Sequence, residues 1–295
     1  MFLHWSWFVI AAYEVTSRTS HYSSPVWNVV EYLSLFLIVL LHEFGHSLAC
    51  RQVGGTANQI VLWPLGGVAY VSPPPRPGAT LWSIAAGPLV NVMIAPVLFG
   101  LLMIAEPMGW DKSSPDAVKF LTSIAIINLG LLLLNLMPVY PLDGGQILRS
   151  LLWFWLGRAR SLMVATMVGF VGVAALLAFA FLAGSVWYGI MAVFILLNCW
   201  GGLLHARALA RAAAAPRHNG FACPACKAAP PEGSFWMCGK CKKSFDTFMA
   251  HAVCPHCATR FDVTGCLDCG AMSPFASWIV PGTPPPLPPQ LPPLA

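Results

Sequence analysis

For its first two thirds the chain alternates long apolar runs with short polar breaks, and then it changes character. The apolar runs are Phe2–Tyr13, Trp27–Cys50, Leu81–Ile104, Phe120–Met137, Leu162–Ala183 and Ser185–Leu204. A helix crossing a bilayer needs roughly 20 apolar residues, and the last five runs supply about that many. Phe2–Tyr13 is shorter and is read as a first span, although Trp5 and Trp7 also suit an interfacial anchor. It has no Lys/Arg start and no small-residue cleavage site, so no signal peptide is expected. Between the second and third runs, Gly54-Gly55 closes a helix. Gln59–Val71 is β-branched and aromatic, interrupted by Pro64 and Gly66-Gly67, which predicts a short hairpin or edge strand. Gln146–Leu156 predicts a short amphipathic helix. The expected fold is an all-α polytopic membrane core of about six transmembrane helices with that hairpin, plus a small cysteine-rich domain. The expected divisions are a membrane core over 1–205, a basic linker over 206–220, a cysteine-rich domain over 221–273 and a proline-rich, extended tail over 274–295.

Composition agrees with a membrane protein. The chain of 295 residues is 57% hydrophobic and 9% charged, whereas soluble domains carry about 25% charged residues. The net charge of +5 is small and does not argue for nucleic acid. Its distribution is more informative. The ends of the second, fourth and sixth runs share one side, which carries Arg51, Arg76, Arg149, Arg158, Arg160, Arg207, Arg211 and Arg217. On the other side Arg18, Lys112 and Lys119 are diluted by Glu14, Glu106, Asp111 and Asp116. The positive-inside rule makes the arginine side cytosolic.

The second run ends in His42-Glu43-Phe44-Gly45-His46. On a helix, residues four apart share a face, so both imidazoles can reach one Zn²⁺ with Glu43 beside it as general base. A catalytic zinc takes a third protein ligand and keeps one open position. Asp143 is the one acid on the arginine side that lies next to a helix break, within Pro138-Val139-Tyr140-Pro141-Leu142-Asp143-Gly144-Gly145. As a turn aspartate before Gly-Gly it would need no function. The histidines at matching depth favour a ligand. Asn91 is an amide at membrane depth and needs a partner; Asn128 and Asn135 lie inside the fourth run.

With HEFGH at 42–46, AAGPLVN at 85–91, LWPLGGVA at 62–69 and NLMPVYPLDGG at 135–145, residues 1–205 resemble the site-2 protease family of intramembrane zinc metalloproteases. The resemblance implies a six-span core, a catalytic zinc held by His42, His46 and Asp143, and Glu43 as base. It also implies Asn91 and Asn135 as substrate- or oxyanion-positioning residues, and Leu62–Val71 as a membrane-edge strand that pairs with an unwound transmembrane substrate. Neither the inserted PDZ module nor the CBS pair of many relatives is evident in the sequence.

Cys223-x-x-Cys226, Cys238-x-x-Cys241, Cys254-x-x-Cys257 and Cys266-x-x-Cys269 have the spacing of zinc knuckles, two to a site, in a reducing compartment. The segment resembles a double zinc ribbon and is expected to hold two structural zinc ions. Consecutive pairing of the knuckles is simplest; interleaved pairing stays open. Lys227, Lys240, Lys242, Lys243 and Arg260 nearly balance Glu232, Asp246, Asp262 and Asp268. That argues against nucleic acid and for a protein partner. Two other functions fit less of the sequence. A membrane adaptor presenting the ribbons would need neither the histidines, Glu43 nor Asp143, and a metal transporter would need polar residues on more spans.

Overall fold

The computed structural model describes residues 2–3, 21–63, 66–105 and 107–280. It divides into two compact units, Met1–Gly157 with Val164–Trp200, and Arg158–Met163 with Gly201–Ala295.

Five helices among the described residues are long and apolar enough to cross a membrane: α1 (Pro25–Gln52), α2 (Pro77–Ala105), α4 (Pro115–Leu136), α5 (Asp143–Leu182) and α6 (Val186–Ala214). The short α3 (Trp110–Ser113) lies in the loop before α4. Large apolar side chains such as Met103, Phe181 and Val186 are exposed on these helices, as lipid-facing surfaces require. The protein is an integral membrane protein. Of the expected first span, Phe2–Leu3 forms strand β1 and residues 4–13 lie outside those described. Strand β2 (Thr56–Trp63) explains the difference at Phe2–Leu3, because it offers a free edge with which β1 pairs in parallel.

On its other edge β2 pairs antiparallel with β3 (Gly66–Ser72), with an irregularity between Ala57 and Gln59. The expected hairpin is therefore present, as the β1-β2-β3 sheet. A glycine cap stops α1 just before it: Gly54 has φ 83° and its N–H reaches the Arg51 carbonyl, while the Gly55 N–H reaches that of Cys50. Helices α1, α2 and α4 pack on one another, and the hairpin packs on α1. The approach of α1 to α2 is close. A Cβ on Gly45 would stand 2.7 Å from the Ala86 carbonyl oxygen. At the far end of α1, Glu31 is buried and accepts from the Tyr22 hydroxyl, so this intramembrane acid is paired.

Helix α4 ends at Leu136 and the chain turns irregularly before Asp143 opens α5. Gly157, with φ 76° and ψ 171°, breaks α5, separating the expected amphipathic helix from the span after it. Helix α6 runs ten residues beyond the expected end of its span, through the alanine- and arginine-rich exit, because both residues are strong helix formers.

The second unit holds the cysteines. Its strands form two hairpins, β4 (Trp236–Met237) with β5 (Ser244–Phe245) and β6 (Val263–Gly265) with β7 (Met272–Pro274). Phe221, Phe248 and Trp278 form its core, and Phe221 bridges to Ile279. The fold thus continues to Val280, past the expected boundary at 273. So small a domain needs the apolar area of Phe275 and Trp278.

The turn before α5 tolerates no side chain at Gly144, where a Cβ would overlap the carbonyl oxygens of Leu136 and Met137. Gly144→Ala is expected to destabilise the membrane unit by about 1–3 kcal/mol through overpacking, read as a lowered melting temperature in detergent.

Candidate metal centres

One turn of α1 carries His42 and His46, both buried, with ring centroids 4.8 Å apart in an edge-on arrangement. The opening residue of α5, Asp143, reaches them from a point distant in sequence. Its Oδ2 lies 3.0 Å from His42 Nε2 and 3.3 Å from His46 Nε2. The two Nε2 atoms are 3.1 Å apart. A tetrahedral ion bound at 2.0–2.1 Å has ligand–ligand edges of about 3.3 Å, so the three atoms stand close to a first coordination shell.

The outer nitrogens decide what faces inward. His46 Nδ1 is 2.9 Å from the Ser83 carbonyl oxygen, which can only accept. Nδ1 therefore carries the proton, and Nε2 turns a lone pair toward Asp143. His42 Nδ1 is 2.7 Å from Asn91 Oδ1, and donation there leaves its Nε2 in the same state. With both rings neutral, two nitrogen lone pairs and a carboxylate oxygen converge, an arrangement that a cation would resolve.

Helix α2 closes one side. A Cβ on Gly87 would overlap His46 Nε2 and stand 2.8 Å from His42 Nε2, so only glycine admits both rings. Glu43, beside them on α1, is buried. Asn91 is fully buried; besides its bond to His42 it donates from Nδ2 to Asn128 Oδ1 at 2.8 Å. Asn91 was expected to hold substrate or oxyanion, yet both ends of its amide are engaged within the protein. Asn135 is half-buried in the last turn of α4. In the sequence Asn128 is only a polar residue in a span, and Gly87 is one of the small residues of AAGPLVN. The sequence demands a partner for the Asn91 amide and offers Asn128 and Asn135 as candidates. The Ser83 contact uses the main chain and leaves no mark in sequence.

The cysteines form two further clusters, Cys223, Cys226, Cys266 and Cys269, and Cys238, Cys241, Cys254 and Cys257. The pairing is nested, not consecutive: the outermost knuckles share one cluster and the inner knuckles the other. Consecutive pairing closes shorter loops, but each doubling of loop length costs only about 0.6 kcal/mol. That preference yields to the Phe221–Ile279 bridge, which brings the ends of the domain together. Neighbouring sulfurs across the clusters are 3.5–3.8 Å apart, close to the edge of about 3.8 Å for a tetrahedral Zn–S₄ site.

All four knuckles repeat one turn. The residue after the second cysteine has positive φ (Lys227, Lys242, Ala258, Gly270) and donates its N–H to the carbonyl of the first cysteine. Such turns aim N–H groups at sulfur and favour thiolate. Burial opposes ionisation of Cys223, but the N–H groups of Cys226 and Ala225 prevail and bring it down to about 7. The Thr259 hydroxyl, with its N–H, draws Cys257 down to about 6. Both donor sets fit zinc.

Comparison with known proteins agrees with this geometry. A model of peptidase family M50 matches residues 31–114 and 100–179, together half of the chain. A zinc metalloprotease of Methanocaldococcus jannaschii is 34% identical over 147 residues, covering 50% of this chain and 41% of that protein. Stage IV sporulation protein FB of Bacillus subtilis is 33% identical over 118 residues, 39% of this chain and 38% of that protein. The chain thus spans about two fifths of the length of these relatives. The solved structure of a site-2 protease from Methanocaldococcus jannaschii has a TM-score of 0.49 at 25% identity, covering 68% of this chain and 89% of that one. The family match takes in the helix of the two histidines, the glycine that seats their rings and the aspartate that meets them, and the chain belongs to peptidase family M50.

Proposed function

We propose that this protein is an intramembrane zinc endopeptidase that hydrolyses peptide bonds within or near transmembrane helices of membrane-protein substrates. The observation that carries the reading is the convergence of His42 Nε2, His46 Nε2 and Asp143 Oδ2 at 3.0–3.3 Å. These three residues would hold the ion. When bound, zinc supplies the Lewis acidity that makes water a nucleophile near neutral pH. Glu43 takes the proton from the attacking water and returns it to the leaving amine. Asn135, in the turn of α4 before the break, positions the substrate carbonyl. A helical substrate hides its carbonyls and must unwind. Among the described residues the outer edge of β3 is unpaired, and it offers main-chain groups for strand addition. The loop arginines support a site toward the cytosolic face and a cysteine domain in the cytosol.

The cysteine clusters hold two structural zinc ions that supply much of the small domain's folding energy. The domain serves as a docking module for a protein partner. Exposed Met237, Met249 and Met272 give it an adaptable apolar surface.

Three measurements test this. Glu43→Gln should lower cleavage of a model transmembrane substrate by about 10²–10⁴-fold with zinc content unchanged; cleavage at the wild-type rate would refute the mechanism. Gly87→Ala should release the membrane-site zinc and leave the cysteine-bound zinc in place, read by metal analysis after gentle chelation. The nested pairing predicts that Cys223→Ser with Cys266→Ser costs one zinc ion, whereas Cys223→Ser with Cys238→Ser costs both cysteine-bound ions. Consecutive pairing predicts the reverse.

A further inference from the structure

Three helices meet behind His42 in a chain of amides with a fixed direction. The side chain of Asn128, buried on α4, donates from Nδ2 to the main-chain carbonyl of Asn91 at 3.0 Å. A carbonyl oxygen can only accept, so this bond fixes which end of the Asn128 amide faces which way. Asn128 Oδ1 is thereby turned to Asn91 Nδ2, 2.8 Å away. That contact fixes the Asn91 amide in turn and leaves its Oδ1 against His42 Nδ1 at 2.7 Å. The imidazole answers an acceptor with a donor, so Nδ1 holds the proton and Nε2 keeps its lone pair.

Asn91 alone could not do this. A lone amide presents oxygen or NH₂ to its neighbour by a half-turn of the side chain. With the NH₂ inward, the proton of His42 would be driven to Nε2 and the lone pair lost to the metal. His46 needs no such device, because its Nδ1 faces a main-chain carbonyl directly.

We propose that Asn128 is a positioning residue for the metal site: acting through Asn91, it sets the tautomer and ring orientation of His42. The proposal rests on the zinc reading of the site given above. It makes Asn91 part of the same relay and gives α4 a part in metal binding with no ligand on it. Outer partners of metal-bound histidines are worth about 10–100-fold in metal affinity.

The test is a graded chelator titration of the full-length protein in detergent, in which the zinc step absent from His46→Ala marks the membrane site. Asn128→Leu and Asn91→Leu should each weaken that step by about 10–100-fold, and the double variant should be no weaker than Asn91→Leu. Asn91→Asp keeps an acceptor against His42 Nδ1 and should stay within about tenfold of wild type, well above Asn91→Leu. A role in packing alone predicts the opposite order, since leucine is the cheaper side chain at membrane depth. Wild-type affinity in Asn128→Leu, or losses that multiply in the double variant, would overturn the relay. A wild type with no such step would instead overturn the zinc reading, and the relay with it. Should the leucine variants fail to fold, ¹⁵N-histidine spectra of the wild type decide the matter, with His42 assigned by its absence from His42→Gln. A proton coupled to His42 Nδ1 supports the relay, and an unprotonated Nδ1 overturns it.

Discussion

Hydrocarbon offers no hydrogen bonds, so every polar atom placed in it must be answered by the protein itself. The membrane unit is arranged around that requirement. Two imidazoles and a carboxylate lie at one point, and each imidazole is held from behind by a partner whose hydrogen-bonding sense is fixed. Ser83 answers His46 with a main-chain carbonyl. Asn91 answers His42, and Asn128 answers Asn91. Of these three side chains, what remains is the inward face, where three potential ligand atoms meet. The packing follows from the same demand. Helices α1 and α2 approach closely at Gly45, Gly87 seats both rings, and Gly144 lets the chain turn tightly enough to bring in Asp143.

The parts legible in the sequence were those set by local spacing or by a single strong penalty. Histidines four apart on an apolar helix must share a face. An aspartate beside a helix break at the same depth is hard to explain otherwise, and α1 and α5 bring the three together. The hairpin was legible from its β-branched residues, and a separation between the helix ending at Leu156 and the span from Leu162 from the arginines between them. The rest depends on tertiary packing. The partner of Asn91 could be demanded but not chosen between Asn128 and Asn135, because helix rotation decides it. The extra turns of α6 follow from propensity that a hydropathy boundary ignores. Knuckle pairing turns on the Phe221–Ile279 closure, which spacing between cysteines does not report. Phe2–Leu3 took its conformation from the open edge of β2, although its composition suits a helix in lipid equally well.

The two units answer the metal question in different ways. In the cysteine domain the backbone does most of the work, because one turn is repeated at four knuckles and its N–H groups draw Cys223 and Cys238 toward thiolate. In the membrane unit the ligands come from two helices, their orienting partners from two more, and no repeated turn is involved. Cysteine clusters saturated by four sulfurs leave no position for water. On the proposed reading the membrane cluster, with three donors, would leave one, and that difference would separate a structural role from a chemical one.

The same rigidity bears on the transport alternative. A conduction path needs sites that bind weakly enough to release, and several of them in series. Among the described residues the membrane unit has one cluster of metal-ligating side chains. Its imidazoles are fixed from behind, and α2 leaves no room for them to swing away because Gly87 already sits against both rings. On the proposed zinc reading, a site so constrained would retain its ion. Retention beside a buried glutamate suits hydrolysis, where the ion must stay while substrates come and go. It suits an adaptor poorly, since apolar side chains would pack these helices at lower cost than groups that each require a dedicated partner.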